Sequence, residues 1–267
     1  MSPVHSLWRR VRAWRERRVL VRRAIPEALW RSTLSRFPFL ARRSAADVHE
    51  LRRLATLFLA SKEFTAVGGL RLTDAKAVAI AAQACLPILR FGLAPYAGFV
   101  GIVLQPAPVR RRREWTDETG VVHHDDEVLS GEAMHGGPVM LSWQDVAAGG
   151  RSARWGYNVV IHEFVHVLDA HDGVTADALP PQGTPAAAWR DALEAQYRTF
   201  CAAVDSGEDT LLDAYGSHGL TEFFPVAAEA FFAMPADFQR GYPELYGLLA
   251  SYFRQDPVLD ALHAPSR

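Results

Sequence analysis

The stretch Asn158-Val-Val-Ile-His-Glu-Phe-Val-His-Val-Leu-Asp169 decides how the chain is read. It contains His162-Glu163-x-x-His166, the pattern in which one helix face offers two zinc ligands and a base. Four residues advance a helix by about 400°, so the two imidazoles project from one side, one turn apart. Glu163 follows the first ligand and points to one flank of the metal, where it can reach a water without binding the ion. Asp169, seven residues after His162, returns to the same stripe and is expected to support a ligand. Chance gives the motif in roughly 2% of chains with such His and Glu frequencies. The flanks make chance the poorer account. Val159, Val160, Ile161, Phe164, Val165, Val167 and Leu168 are apolar, and a buried helix rarely carries His, Glu and Asp unless they are paired or hold a metal.

Two histidines do not complete a catalytic zinc site, which takes three protein ligands and keeps a fourth position for water. Downstream, His171, Asp172, His218, Glu222 and Glu229 are the candidates for the third. His171 falls on the wrong side of its helix, and the longer HExxHxxGxxH pattern fails because Asp169 and Asp172 stand where Gly and His are required. A second apolar helical stretch, Thr221-Glu-Phe-Phe-Pro-Val-Ala-Ala-Glu-Ala-Phe-Phe232, embeds two acids. Glu222 and Glu229 are seven residues apart and share a face, giving one ligand and one supporting acid in an order that spacing alone leaves open.

Here the sequence resembles a known family. His162-Glu-Phe-Val-His-Val-Leu-Asp169, followed by Asp213-Ala-Tyr215 and Glu222-Phe-Phe, is similar to the Mlc titration factor A family of zinc peptidases. The Tyr215-to-Glu222 spacing is also similar to that in the catalytic domain of anthrax lethal factor. Leu86-Pro-Ile-Leu, Tyr96-Ala-Gly-Phe, Ser130-Gly-Glu, Gly137-Pro-Val-Met-Leu-Ser-Trp143 and Gln255-Asp-Pro257 extend the likeness over about residues 45–257. The resemblance implies Zn2+ as cofactor, with Glu222 joining His162 and His166 as ligands. It implies Glu163 as general base and Tyr215 as the group that steadies the oxyanion of the tetrahedral intermediate. A peptide or protein substrate and an aminopeptidase-like action follow, as does a second role, sequestering a transcriptional repressor. Pro225 departs from the family's pattern, and it requires the helix to begin close to Glu222 or to bend there.

Composition bounds the remainder. The net charge of −1 argues against direct nucleic-acid binding, yet residues 1–53 hold fourteen Arg against four acids. Residues 5–23 interleave arginines with Trp8, Val11, Trp14, Val19 and Leu20. A solvated, partly disordered leader is preferred over an amphipathic segment on an anionic membrane surface. Arg110–Arg113 read as one arm of a hairpin paired with Asp125, Asp126 and Glu127 beyond a turn near Gly120. His123 and His124 are set aside as solvated. Cys85 and Cys201 read as free thiols in a reducing compartment, and no secretory signal or membrane span is evident, so the cytoplasm is expected.

The expected fold is α+β: a mostly helical, zincin-like metallopeptidase with a small mixed β-sheet over residues 98–143. Ser44 and Thr73 start helices; Gly98–Leu104 and Gly137–Trp143 are strands, the latter at a sheet edge because of Gly136, Gly137 and Pro138. In peptidases of this pattern a strand near the metal pairs with the extended substrate. Residues 174–185 read as a loop. The expected division is a basic leader with a short helix over 1–43, the metallopeptidase domain over 44–257 and a tail over 258–267.

Overall fold

In the computed structural model, which describes residues 3–116, 122–129, 131–133, 137–172 and 186–263, four helices come first. They are α1 (Pro3–Arg22), α2 (Glu27–Arg36), α3 (Pro38–Ala41) and α4 (Ala45–Ser61). The basic segment expected as a solvated leader is thus helical, and α1 lies along α4 with Arg53 Nη1 3.4 Å from Glu16 Oε2. Residues before 44 do not stand apart from the fold. Ile25, Trp30, Phe37, Phe39 and Leu40 are buried in the common core. Ser44 caps α4 by accepting the Asp47 amide at 3.1 Å, as its sequence position predicts.

Strand β1 (Glu63–Ala66) leads to α5 (Asp74–Ala84), which Thr73 caps, and then to β2 (Gly101–Gln105). A two-stranded ribbon, β3 (Val109–Thr116) and β4 (Val122–Leu129), follows. Its backbone register sets Arg111, Arg112 and Arg113 opposite Glu127, Asp126 and Asp125, so the hairpin expected there is present. The turn near Gly120 lies outside the described residues. The short β5 (Gly131–Ala133) and β6 (Val139–Ser142) complete a four-stranded sheet of order β1-β2-β6-β5. Its first three strands are parallel, and β5 runs antiparallel to β6.

The strand around Val139 is not at the edge, because β6 pairs with β2 on one side and β5 on the other. Pro138 precedes the first paired residue, so its missing amide costs the ladder nothing. Among the described residues, the edge beside β6 belongs to the three residues of β5.

The remaining helices are α6 (Trp143–Ser152), α7 (Val159–Asp172), α8 (Ala186–Asp205), α9 (Leu220–Ala233), α10 (Pro235–Gly241), α11 (Pro243–Phe253) and α12 (Pro257–Leu262). The loop expected over 174–185 lies outside the described residues. Helix α7 carries the motif and runs through the middle of the molecule. On one side Phe164 meets Tyr96 at 5.1 Å, Phe58 at 5.6 Å and Phe99 at 5.8 Å between ring centroids. On another it packs against α9, where every residue from Phe223 to Ala233 is buried. This double burial is why the motif's flanks are uniformly apolar. The C-terminus is tied in as well: Asp260 of α12 accepts from the buried Arg43 guanidinium at 2.9 Å, so the expected tail begins as structured helix. No helix among the described residues is long and apolar enough to cross a membrane, and Cys85 and Cys201 are both free.

Candidate active site

Asn158 begins the site by fixing the start of α7. Its Oδ1 accepts the Ile161 amide at 3.0 Å, an N-cap, while its Nδ2 donates to Gln83 Oε1 at 2.8 Å. Gln83 in turn donates to the Ala79 carbonyl at 2.9 Å, so a buried polar chain bolts α7 to α5. The Asn158 amide donates to Glu229 Oε2 of α9. The other oxygen of Glu229 stands 2.7 Å from His162 Nδ1. One carboxylate therefore holds both the start of the motif helix and the ring of its first histidine. An imidazole held at Nδ1 in this way presents its Nε2 in a fixed direction.

Three atoms converge on that direction. His162 Nε2 and His166 Nε2 are 3.1 Å apart, and Glu222 Oε2 lies 3.2 Å from the first and 3.3 Å from the second. Among the described residues this is the group of His, Cys, Asp or Glu donors close enough together to hold a metal ion. Bonds of about 2.0–2.2 Å at tetrahedral angles separate ligand atoms by about 3.3 Å, so the triangle suits a four-coordinate ion. His218 and Glu229, weighed as alternatives on sequence, are not in the triangle. The side chain of His171 lies outside the described residues. Asp169 is buried on α7.

Glu222 arrives because α9 starts two residues before it, at Leu220, with Gly219 as its cap. Pro225 sits inside the helix, where its missing amide leaves the Thr221 carbonyl without the usual partner. The first turn ahead of it remains formed, with the Glu222 and Phe223 amides donating to the Gly219 carbonyl at 3.0 and 2.9 Å.

The electrostatics favour positive charge at the triangle. Burial works against a charge on His162, but the Glu229 and Glu222 carboxylates outweigh it and lift its pKa to about 10. Burial pushes Glu222 up, yet the two imidazoles pull harder and hold it well below the usual carboxylate range. The same carboxylates would attract a divalent cation, whose binding requires neutral imidazoles.

Glu163 is outside the triangle and only 5% exposed. Burial raises its pKa to about 7 against the pull of the two histidines. Its carboxyl group lies over Gly131 of β5. A Cβ at that glycine would stand 2.4 Å from Glu163 Oε1 and 2.6 Å from its Cδ. Glycine is what lets strand and carboxylate approach so closely. We expect Gly131→Ala to displace the Glu163 carboxyl while the chain stays folded. A structure of the variant beside a thermal melt checks this, and an unmoved carboxyl contradicts the packing.

Tyr215 comes from the 3-10 turn Ala214–His218, started by Asp213, whose Oδ1 accepts the Tyr215 amide at 2.9 Å. Its ring centroid is 6.1 Å from that of His162 and it is partly exposed. All five residues singled out from the sequence thus gather at one place. Asn158 starts α7 as its place in the sequence suggests, whereas Gly131 and Gln83 were missed as parts of the site. Gln83 left a readable signal, since a lone amide inside the apolar run Ala77–Leu89 needs a buried partner.

Two imidazoles from one helix, an acid from a later helix and a buried carboxylate beside them form a centre able to hold a divalent metal next to a base. Comparison with known proteins agrees. Residues 11–254 match the family described as glucose-regulated metallo-peptidase M90. Mlc titration factor A from Klebsiella pneumoniae subsp. pneumoniae is 34% identical over 235 residues, covering 87% of this chain and 88% of that protein. The protein of that name from Salmonella arizonae is 34% identical over 233 residues, with 86% and 91% covered. The one from Escherichia coli O139:H28 is 33% identical over 238 residues, with 88% of each covered. The chain belongs to the M90 metallopeptidase family.

Proposed function

We propose that this chain is a zinc-dependent peptidase in which His162, His166 and Glu222 hold the ion, Glu163 is the general base and Tyr215 steadies the oxyanion. The observation that carries this reading is the triangle of donor atoms 3.1–3.3 Å apart. Zinc, when bound, supplies Lewis acidity that polarises a carbonyl and makes a water molecule easier to deprotonate. Glu163 takes the proton of the attacking water and returns it to the leaving amine. Its buried carboxyl beside the triangle is placed to make both transfers. Glu229 keeps the His162 ring oriented through Nδ1. The Tyr215 phenol donates a hydrogen bond as charge develops on the carbonyl oxygen. An extended substrate would pair with the edge strand β5, which also carries Gly131 beneath Glu163. The zincin-like assignment, an aminopeptidase-like preference and a cytoplasmic location belong to the same proposal. Two free cysteines support the location.

A second reading is favoured by the relatives' name, a titration factor for Mlc. In it the chain binds a transcriptional repressor, and peptidase action is weak or secondary. The two roles are compatible and separable by metal removal. Treatment with 1,10-phenanthroline is expected to abolish hydrolysis of an aminoacyl-p-nitroanilide series and of an internally quenched peptide library. Zinc, added back in stoichiometric amount, restores it. Hydrolysis that persists in fully metal-free protein rejects the zinc mechanism.

A further inference from the structure

His218 lies three residues after Tyr215 in the same 3-10 turn, and side chains three apart eclipse one another in that geometry. The two rings meet edge to face, with centroids 4.9 Å apart and planes at 83°. The backbone of the turn is pinned at three points. Asp213 Oδ1 accepts the Tyr215 amide at 2.9 Å, and the Tyr197 hydroxyl donates to the Ser217 carbonyl at 2.9 Å. Gly216 is buried where an added Cβ would meet Phe200 at 3.3 Å and Val226 at 3.5 Å. Tyr215 is 37% exposed, so burial alone does not select its rotamer. With the backbone fixed, the edge-to-face contact with His218 bears directly on where the phenol points.

We propose that His218 is a positioning residue: its ring, edge to face with Tyr215, holds the phenol in the orientation from which the hydroxyl meets the developing oxyanion. This rests on the role proposed for Tyr215. An aromatic pair of this geometry changes a rotamer population by about 2- to 12-fold, which sets the size of the effect. Because the phenol acts in the transition state, the loss falls on kcat and spares KM.

The test measures kcat and KM for one peptide drawn from the quenched library, with zinc content, for five chains. These are the unaltered chain, His218→Ala, His218→Phe, Tyr215→Phe and the double variant Tyr215→Phe/His218→Ala. His218→Ala is expected to lower kcat by about 3- to 10-fold with KM and zinc unchanged. His218→Phe keeps a flat ring and should recover most of the loss. In the double variant, removing His218 should cost nothing beyond Tyr215→Phe alone. The inference is overturned by an unchanged kcat in His218→Ala, by loss of zinc in that variant, or by no recovery with Phe. An equal loss on the Tyr215→Phe background overturns it too, since His218 would then act independently of the phenol. If Tyr215→Phe leaves kcat unchanged, the oxyanion role of Tyr215 fails first and this inference falls with it.

Discussion

Glu163→Gln is expected to lower peptide hydrolysis by about 10²–10⁴-fold while zinc stays bound. The carboxyl group is 5% exposed and lies over Gly131, outside the donor triangle. An amide of the same shape keeps that packing but cannot accept and return a proton. Folding should not suffer, because the buried site already disfavours the carboxylate and raises its pKa to about 7. The unfolding midpoint of the variant near neutral pH should match that of the unaltered chain or exceed it. A repressor-binding role would survive the change, so the variant separates catalysis from sequestration. Hydrolysis at the original rate would remove Glu163 from the mechanism.

Glu222→Ala is expected to cost more metal affinity than any change to a supporting residue. Its Oε2 stands 3.2 and 3.3 Å from the two ring nitrogens and forms the third corner of the triangle. Glu229→Gln disturbs the contacts at His162 Nδ1 and at the Asn158 amide but leaves all three corners in place, a loss that typically weakens metal binding by about 10–100-fold. Removing the third corner leaves two ligands where three are needed, so the loss should far exceed that range. Competition titrations with a chromogenic chelator rank the two variants. The reverse order, with Glu229→Gln the more damaging, would give the third position to Glu229.

Much of this centre is legible in the sequence, for reasons that lie in helix geometry. The four-residue spacing of His162 and His166 fixes two side chains on one face whatever surrounds the helix. The seven-residue spacing of Glu222 and Glu229 likewise places both acids on one stripe, and the structure sets one at the triangle and the other at His162 Nδ1. Caps at Ser44 and Thr73 were equally local, since each needs only an amide three residues ahead. The sheet was harder. Three residues, Gly131 to Ala133, are too few to show alternation, and the order β1-β2-β6-β5 depends on partners distant in sequence. The edge was therefore assigned to the wrong strand, and the contact of Gly131 with Glu163 went unseen. The segment before residue 44 misled through its arginines, which hid the apolar set Ile25, Trp30, Phe37, Phe39 and Leu40 that enters the core.

In the proposed centre His162, His166 and Glu222 together hold one zinc ion. The direct measurement is metal analysis of the purified chain combined with zinc-edge X-ray absorption, repeated on Glu222→Ala. One zinc per chain with two imidazoles and a carboxylate oxygen in its shell, lost when Glu222 is removed, is the predicted result. A chain that retains no zinc, or one whose zinc shell is unchanged by Glu222→Ala, would contradict it.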